Sequence, residues 1–336
     1  MQNELSVLEI KDLKTYFFFT EGIVRAVDGV SLTLQRGKTV GIVGESGCGK
    51  SVTAQSILQI VGAAGRIVGG EILFYRDGEV VDLTQYKSTS QALREIRGRD
   101  IAMIFQEPMT AFSPVYTVGK QLSEAILFHE KVSEKAARGR VIELLDKVGI
   151  PHPDQRVDSY PFELSGGMRQ RAMIAMALAC KPTVLIADEP TTALDVTVQA
   201  QILDLLRSIQ EEMGMAIMII THNMGVIAEM ADSVNVMYLG KVIESAPVWE
   251  LFDNPQHPYT AALLKSIPMI EEDVKERLLS IKGVVPDPYN LPAGCRFHPR
   301  CDAYLPGLCD KSEPVPVQVG PDHLASCLRL GGHDGR

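Results

Sequence analysis

The sequence predicts an α/β fold in which a mostly parallel sheet carries helices on both faces. Three observations predict it. The runs Thr39–Val43, Thr183–Ala187 and Ala216–Ile220 are apolar almost throughout, as buried parallel strands are. Helical periodicity fills intervals between and after such runs, most clearly over Val196–Met213. The first run leads straight into Gly44-Glu45-Ser46-Gly47-Cys48-Gly49-Lys50-Ser51, which fits G-x-x-x-x-G-K-[ST] and opens a helix over Val52–Ile60.

The remaining elements follow in order. Val7–Leu13 alternates partly, as a strand does, and Tyr16-Phe17-Phe18-Phe19 is an aromatic knot. Val24–Leu34 reads as one or two strands ending at Arg36-Gly37. Glu71–Tyr75 is a strand, and Arg76-Asp77-Gly78 a hairpin turn. Ile101–Phe105 is a short buried strand ending at Gln106. From about 107 to 175 the pattern becomes helical, with amphipathic stretches at Val118–Phe128 and Ala136–Val148, which predicts a helical insertion in the core. Met168–Ala179 is a further helix, stopped by Lys181-Pro182. Met224–Met230 is a helix, and Val234–Leu239 with Lys241–Ile243 a closing hairpin at Gly240. After about residue 255 prolines punctuate the chain. Helices are expected at Tyr259–Ser266 and Glu271–Leu279, and the rest reads as a loop-rich extension over 256–336 too poor in periodic apolar residues for a strong core.

Composition narrows the function. The 336 residues are 46% hydrophobic and 22% charged, a globular balance. The net charge of −9 argues against a nucleic-acid surface, which needs clustered Lys and Arg. No apolar run reaches the roughly 18 residues of a membrane span, and the start Met1-Gln2-Asn3-Glu4 lacks the features of a signal peptide. A cytosolic protein is expected, with any membrane role exercised through a partner.

The loop at 44–51 carries the first chemistry. Its glycines let the backbone approach phosphates, its N–H groups point inward, and the helix N-terminus running through Ser51 and Val52 favours anions. Lys50 suits the β/γ-phosphate oxygens and the Ser51 hydroxyl suits Mg²⁺. The second feature is Val184–Glu189, an apolar strand ending in two carboxylates. Asp188 can hold Mg²⁺, and Glu189 can act as general base or position the attacking water. Third, Leu164-Ser165-Gly166-Gly167-Met168-Arg169-Gln170 opens a helix with a serine and two glycines, an anion-binding terminus or a simple N-cap.

In order, the chain presents the phosphate loop, Gln106 at a strand end, Leu164–Gln170, the strand ending Asp188-Glu189, Ala193-Leu194-Asp195, and His222 after a strand. This resembles the nucleotide-binding subunit of ATP-binding-cassette (ABC) transporters over about residues 5–255. The resemblance implies a P-loop NTPase (RecA-like) core over 1–255 with an antiparallel β subdomain and the helical insertion. Two such subunits would sandwich two ATP molecules head to tail. Each ATP would lie between Gly44, Ser46, Gly47, Cys48, Gly49, Lys50, Ser51 and Val52 of one subunit and Ser165, Gly166 and Gly167 of the other. Gln106 would sense Mg²⁺ and the attacking water, His222 would contact the γ-phosphate, and Asp195 would cross the dimer interface. Phe17, with Tyr16 second, would stack on adenine; plain core packing explains any single member of that knot equally well.

The segments Phe105–Pro114, Asn254–Thr260 and Gly294–Cys301 resemble dipeptide and oligopeptide importer ATPases. Cys295, Cys301, Cys309 and Cys327 fall in the last 42 residues with spacing C-x₅-C-x₇-C-x₁₇-C, without the paired knuckles of common zinc sites. Four thiolates suit zinc or an iron–sulfur cluster; the resemblance implies [4Fe–4S] in a structural role. The partners it implies are a second ATPase subunit, identical or related, two membrane permease subunits, and indirectly an extracytoplasmic peptide-binding protein. The location it implies is the cytoplasmic face of the membrane. Import of nickel or another small solute is the nearest alternative, and a cassette ATPase acting on DNA or ribosomes the next.

Overall fold

The computed structural model describes residues 5–107, 111–192, 194–266 and 281–331. Its elements are β1 (Ser6–Phe19), β2 (Gly22–Gln35), β3 (Thr39–Val43), α1 (Lys50–Ile57), β4 (Gly65–Arg76), β5 (Glu79–Asp82), α2 (Gln91–Ile96), β6 (Ile101–Ile104), α3 (Val118–His129), α4 (Glu134–Lys147), α5 (Pro153–Arg156), α6 (Gly166–Leu178), β7 (Val184–Asp188), α7 (Val196–Met213), β8 (Ala216–Ile220), α8 (Met224–Met230), β9 (Ser233–Tyr238), β10 (Lys241–Pro247), α9 (Val248–Asp253), α10 (Pro258–Lys265), β11 (Val317–Gly320) and β12 (His323–Ala325). They form two compact units. Among the described residues, those within 1–8, 34–39 and 74–220 make up one, and those within 9–33, 40–73 and 221–336 the other.

In the first unit β6 runs parallel to β7, with Ile101 opposite Val184, and β7 parallel to β8, with Asp188 opposite Ile220. Every residue of the three strands is buried, which explains their apolar composition up to Asp188 at the end of β7. Helix α7 begins where the Asp195 carboxylate accepts from the Val198 N–H and stops at left-handed Gly214 (φ 63°). Its buried Ile202, Leu203, Leu206 and Ile209 form one stripe, each worth about 1.5–3 kcal/mol of burial. Helices α3 and α4 start at the capping hydroxyls of Thr117 and Ser133. They bury Val118, Leu122 and Ile126, and Ala137, Val141 and Leu145, both at i, i+4 spacing. Arg171 on α6 donates to the Val148 carbonyl at 2.6 Å and to Gln201 at 2.9 Å, fastening α6 to the end of α4 and to α7.

In the second unit β3 runs parallel to β9, β9 turns through Leu239-Gly240 into antiparallel β10, β10 pairs with β12, and β12 with β11. The β11–β12 hairpin stands in the part of the extension that reads as loop beyond its two expected helices. Its strands are too short, and too mixed with Gln318 and His323, to give a periodic signal, but the open edge of β10 supplies a partner for β12, and β12 one for β11. The aromatic knot is the end of one long strand, β1, and Val24–Leu34 lies within a single strand, β2. The helix expected at 271–279 lies outside the described residues, as do 108–110 of the importer-like segment and Ala193.

The tail also has apolar anchorage. The Phe297 ring lies 5.3 Å from Tyr238 and 5.4 Å from Tyr259, which are 4.8 Å apart. All three are buried. A packed aromatic cluster therefore fastens the tail. Among the described residues no helix is long and apolar enough to cross a membrane.

Candidate nucleotide-binding site

The loop between β3 and α1 has the backbone that the motif requires. Gly44 (φ 150°) and Gly49 (φ 105°) sit where side chains are excluded twice over. A Cβ on Gly44 would lie 2.2 Å from the Met237 carbonyl oxygen, and one on Gly49 2.1 Å from that of Ala26. Ser46 and Gly47 form the exposed tip, and Cys48 is buried beneath it. Lys50 is 6% exposed. Its ammonium donates to the carbonyls of Gly44 at 2.8 Å and Glu45 at 3.1 Å, so it is held inside the loop's arc. Ser51 and Val52 follow in the first turn of α1, both half-buried. Burial pushes the Cys48 thiol pKa up, against the opposing effect of Lys50.

At the end of β7, Asp188 is buried and Glu189 turns into the left-handed region (φ 49°). This conformation is uncommon for a residue with a side chain and characteristic of functional turns. The Glu189 N–H still bonds the Ile220 carbonyl at 2.8 Å, so the turn is anchored to β8. One carboxylate oxygen, Oε2, accepts from the Gln106 amide at 3.1 Å and the Thr192 hydroxyl at 2.8 Å. Gln106 and Glu189, read separately in the sequence, are thus in contact. Thr192 was missed; its only sequence signal was its place three residues after Glu189.

Ser165 caps α6 by accepting from the Met168 N–H at 3.3 Å, leaving Gly166 and Gly167 as the first turn. Asp195 caps α7. Both therefore do the local work of N-caps. His222 is exposed, next to Asn223, the N-cap of α8.

Among the aromatics, the Tyr16 hydroxyl donates to Asp28 at 2.6 Å. Burial and this carboxylate push its pKa up to about 12. Burial raises the pKa of Asp28, but bonds from Tyr16 and Arg296 outweigh that and hold it below the usual carboxylate range. Phe17 stacks on Phe19 at 6.0 Å.

The four tail cysteines are thiols without disulfides, two buried and two half-buried. The Cys295 N–H bonds the Cys309 carbonyl at 2.8 Å. Burial first, then the neighbouring Cys309, Cys327 and Cys301, push the Cys295 thiol up to about 11, and burial raises those of Cys301 and Cys327. The four are thus near enough to feel one another's charge, and their donor chemistry fits a four-thiolate group. Among the described residues, however, no group of three or more His, Cys, Asp or Glu side chains is disposed to hold a metal ion.

The sequence reading missed the residues that tie the tail to the loop. Arg300 forks onto Glu45, at 2.6 and 3.0 Å, and also reaches the Tyr238 hydroxyl and the Lys282 carbonyl. Arg296 bonds Asp28 and the Leu239 carbonyl. The Tyr259 hydroxyl accepts from the Glu45 N–H at 2.9 Å. Arg296 and Arg300 stand inside the Gly294–Cys301 block, but nothing local points to acids more than 250 residues away.

The family model for ABC transporters matches residues 27–192, and that for the oligopeptide/dipeptide transporter C-terminal region matches residues 243–309. Over 324 residues the chain is 48% identical to a probable peptide ABC transporter ATP-binding protein, y4tR, of Sinorhizobium fredii, covering 96% of this chain and 95% of that relative. The chain belongs to the ABC transporter ATP-binding family, and its activity is ATP hydrolysis. It is 50% identical to the oligopeptide transport ATP-binding protein AppD of Bacillus subtilis, over 88% of each chain. With the dipeptide transport ATP-binding protein DppD of the same organism it shares 48% identity over 96% of this chain and 94% of that one. The ATP-binding cassette MJ0796, solved as a dimer in a post-hydrolysis state with ADP and Pi, superposes with a TM-score of 0.63 at 27% identity, covering 72% of this chain and 98% of that one.

Proposed function

We propose that the chain is one ATPase subunit of a peptide importer, bound at the cytoplasmic face of the membrane to two permease subunits and a second ATPase subunit. The observation that carries the reading is the phosphate loop with Lys50 drawn into its arc, in a chain whose relatives along nearly its whole length are named for peptide import.

In this reading residues 1–255 form the nucleotide-binding domain and 256–336 its extension. The loop N–H groups from Ser46 to Val52 and the Lys50 ammonium bind the β- and γ-phosphates. Ser51 and Asp188 hold Mg²⁺, with Gln106 reaching the metal and the attacking water. Glu189 accepts the water's proton, held ready by Gln106 and Thr192, and His222 contacts the γ-phosphate. Phe17 or Tyr16 stacks on adenine. Phosphoryl transfer needs positioning and charge neutralisation more than covalent chemistry, and this residue set supplies both. Ser165, Gly166, Gly167 and Asp195 serve the nucleotide held by the second subunit, so hydrolysis is coupled to rigid-body closure of the pair.

Cys295, Cys301, Cys309 and Cys327 would hold a [4Fe–4S] cluster. Bound there, the cluster supplies a covalent staple rather than redox chemistry. Loading must displace protons from thiols whose pKa values burial has raised.

The test is ATP-driven uptake of a labelled dipeptide by proteoliposomes containing the chain, its permeases and its partner ATPase. Uptake that Lys50→Ala abolishes is expected. ATP-driven uptake of nickel with none of peptide would move the cargo assignment to the alternative.

A further inference from the structure

Glu45 is a carboxylate built into the phosphate loop, where a polyanion must bind. Two tail elements fix it. Tyr259, on α10, takes its backbone N–H, and Arg300 takes both carboxylate oxygens, at 2.6 and 3.0 Å. The guanidinium is itself held by further bonds. It donates to the Lys282 carbonyl at 3.0 Å and the Tyr238 hydroxyl at 3.3 Å, and Arg300 is 8% exposed. Lys50 reaches Glu45 only at its main-chain oxygen, at 3.1 Å.

From this we infer that Arg300 is a positioning residue for the triphosphate. It neutralises Glu45 and keeps that carboxylate turned from Lys50 and from the phosphates, so the C-terminal extension completes the electrostatics of the phosphate loop. The inference rests on the reading of Gly44–Ser51 as the phosphate site. Without Arg300, Glu45 is an uncompensated, half-buried charge. Lys50, already at the same residue's carbonyl, becomes the cation open to it, and a carboxylate on Lys50 competes directly with the γ-phosphate. A carboxylate and a phosphate in one partly desolvated loop repel, whereas a structural brace alone carries no dependence on ligand charge.

The test is equilibrium binding of ATP, ADP and adenosine to the full chain and its variants at two salt concentrations. Arg300→Ala is expected to weaken ATP about tenfold or more, ADP less and adenosine least, with the loss shrinking as salt rises. Arg300→Lys, which keeps the charge but not the fork, is expected to fall between. In the Glu45→Gln background Arg300→Ala should have little further effect, because no charge remains to be neutralised. Weakening that is equal for ATP and adenosine, or that persists undiminished in the Glu45→Gln background, would reduce Arg300 to a brace and overturn the inference. If Arg300→Ala fails to fold, Arg300→Lys and the Glu45→Gln pair decide the question. Lys50→Ala separates the two levels. Loss of ATP binding there with none in Arg300→Ala overturns this inference alone. Wild-type protein that binds no MgATP overturns the phosphate-site reading as well.

Discussion

Replacing Glu244 with alanine should destabilise the second unit by about 4 kcal/mol. Glu244 is 1% exposed in the middle of β10. It accepts from the Gln256 N–H at 2.6 Å, the His257 N–H at 3.0 Å and His323 Nε2 at 2.8 Å. One carboxylate thus joins the strand to the entry of α10 and to the β11–β12 hairpin. Removing it strands two donors in full burial, at about 1.5–2 kcal/mol each, and a third in partial burial, at about 1 kcal/mol. Against a net stability of about 5–15 kcal/mol, that is a large fraction. Glu244→Gln keeps one acceptor oxygen and should cost about 1–2 kcal/mol. The assay is urea unfolding followed by far-UV circular dichroism and by the single tryptophan, Trp249, on the adjoining α9. A loss below about 1 kcal/mol for Glu244→Ala would refute the three-way junction as the tail's anchor.

Gly49→Ala should abolish nucleotide binding, because the new Cβ meets the Ala26 carbonyl 2.1 Å away at a left-handed φ; binding within twofold of wild type would contradict the loop geometry. His257 is buried with its pKa lowered to about 3 from 6.5, so the unfolded chain takes up a proton that the folded chain refuses. Stability from this source is intact above pH 6.5 and is lost progressively as pH falls toward 3, about 2–3 kcal/mol of it by pH 4.5. His257→Asn, which keeps an acceptor for the Tyr259 N–H now bonded at 3.0 Å, should flatten that slope in urea titrations at pH 7 and 4.5; an unchanged slope would contradict the assignment. Protein purified without oxygen should be brown and contain iron and sulfide, and Cys295→Ser should be colourless. Colourless wild-type protein with stoichiometric zinc would replace the cluster with a zinc site.

Where the local sequence dictates the local backbone, the fold was legible. β3, α7, β8 and α8 match their sequence ranges to the residue because apolar continuity, helical period, Asp195 as N-cap and Gly214 as stop all agree. The strand–loop–helix order around Gly44–Ser51 and the strand ending at Asp188 were legible for the same reason. What escaped depends on distant partners. β11 and β12 exist because β10 offers an edge. The Glu45–Arg300 and Asp28–Arg296 pairs exist because the chain returns from the tail to the loop and to β2. The left-handed turn at Glu189 and its contact with Gln106 depend on neighbours far along the chain.

The most direct test of the account is single-turnover phosphate release from MgATP by the wild-type chain and by Glu189→Gln, with retained nucleotide measured alongside. The expected result is release by the wild type, and stoichiometric bound ATP with almost no release by the variant. Release by Glu189→Gln at the wild-type rate would contradict it.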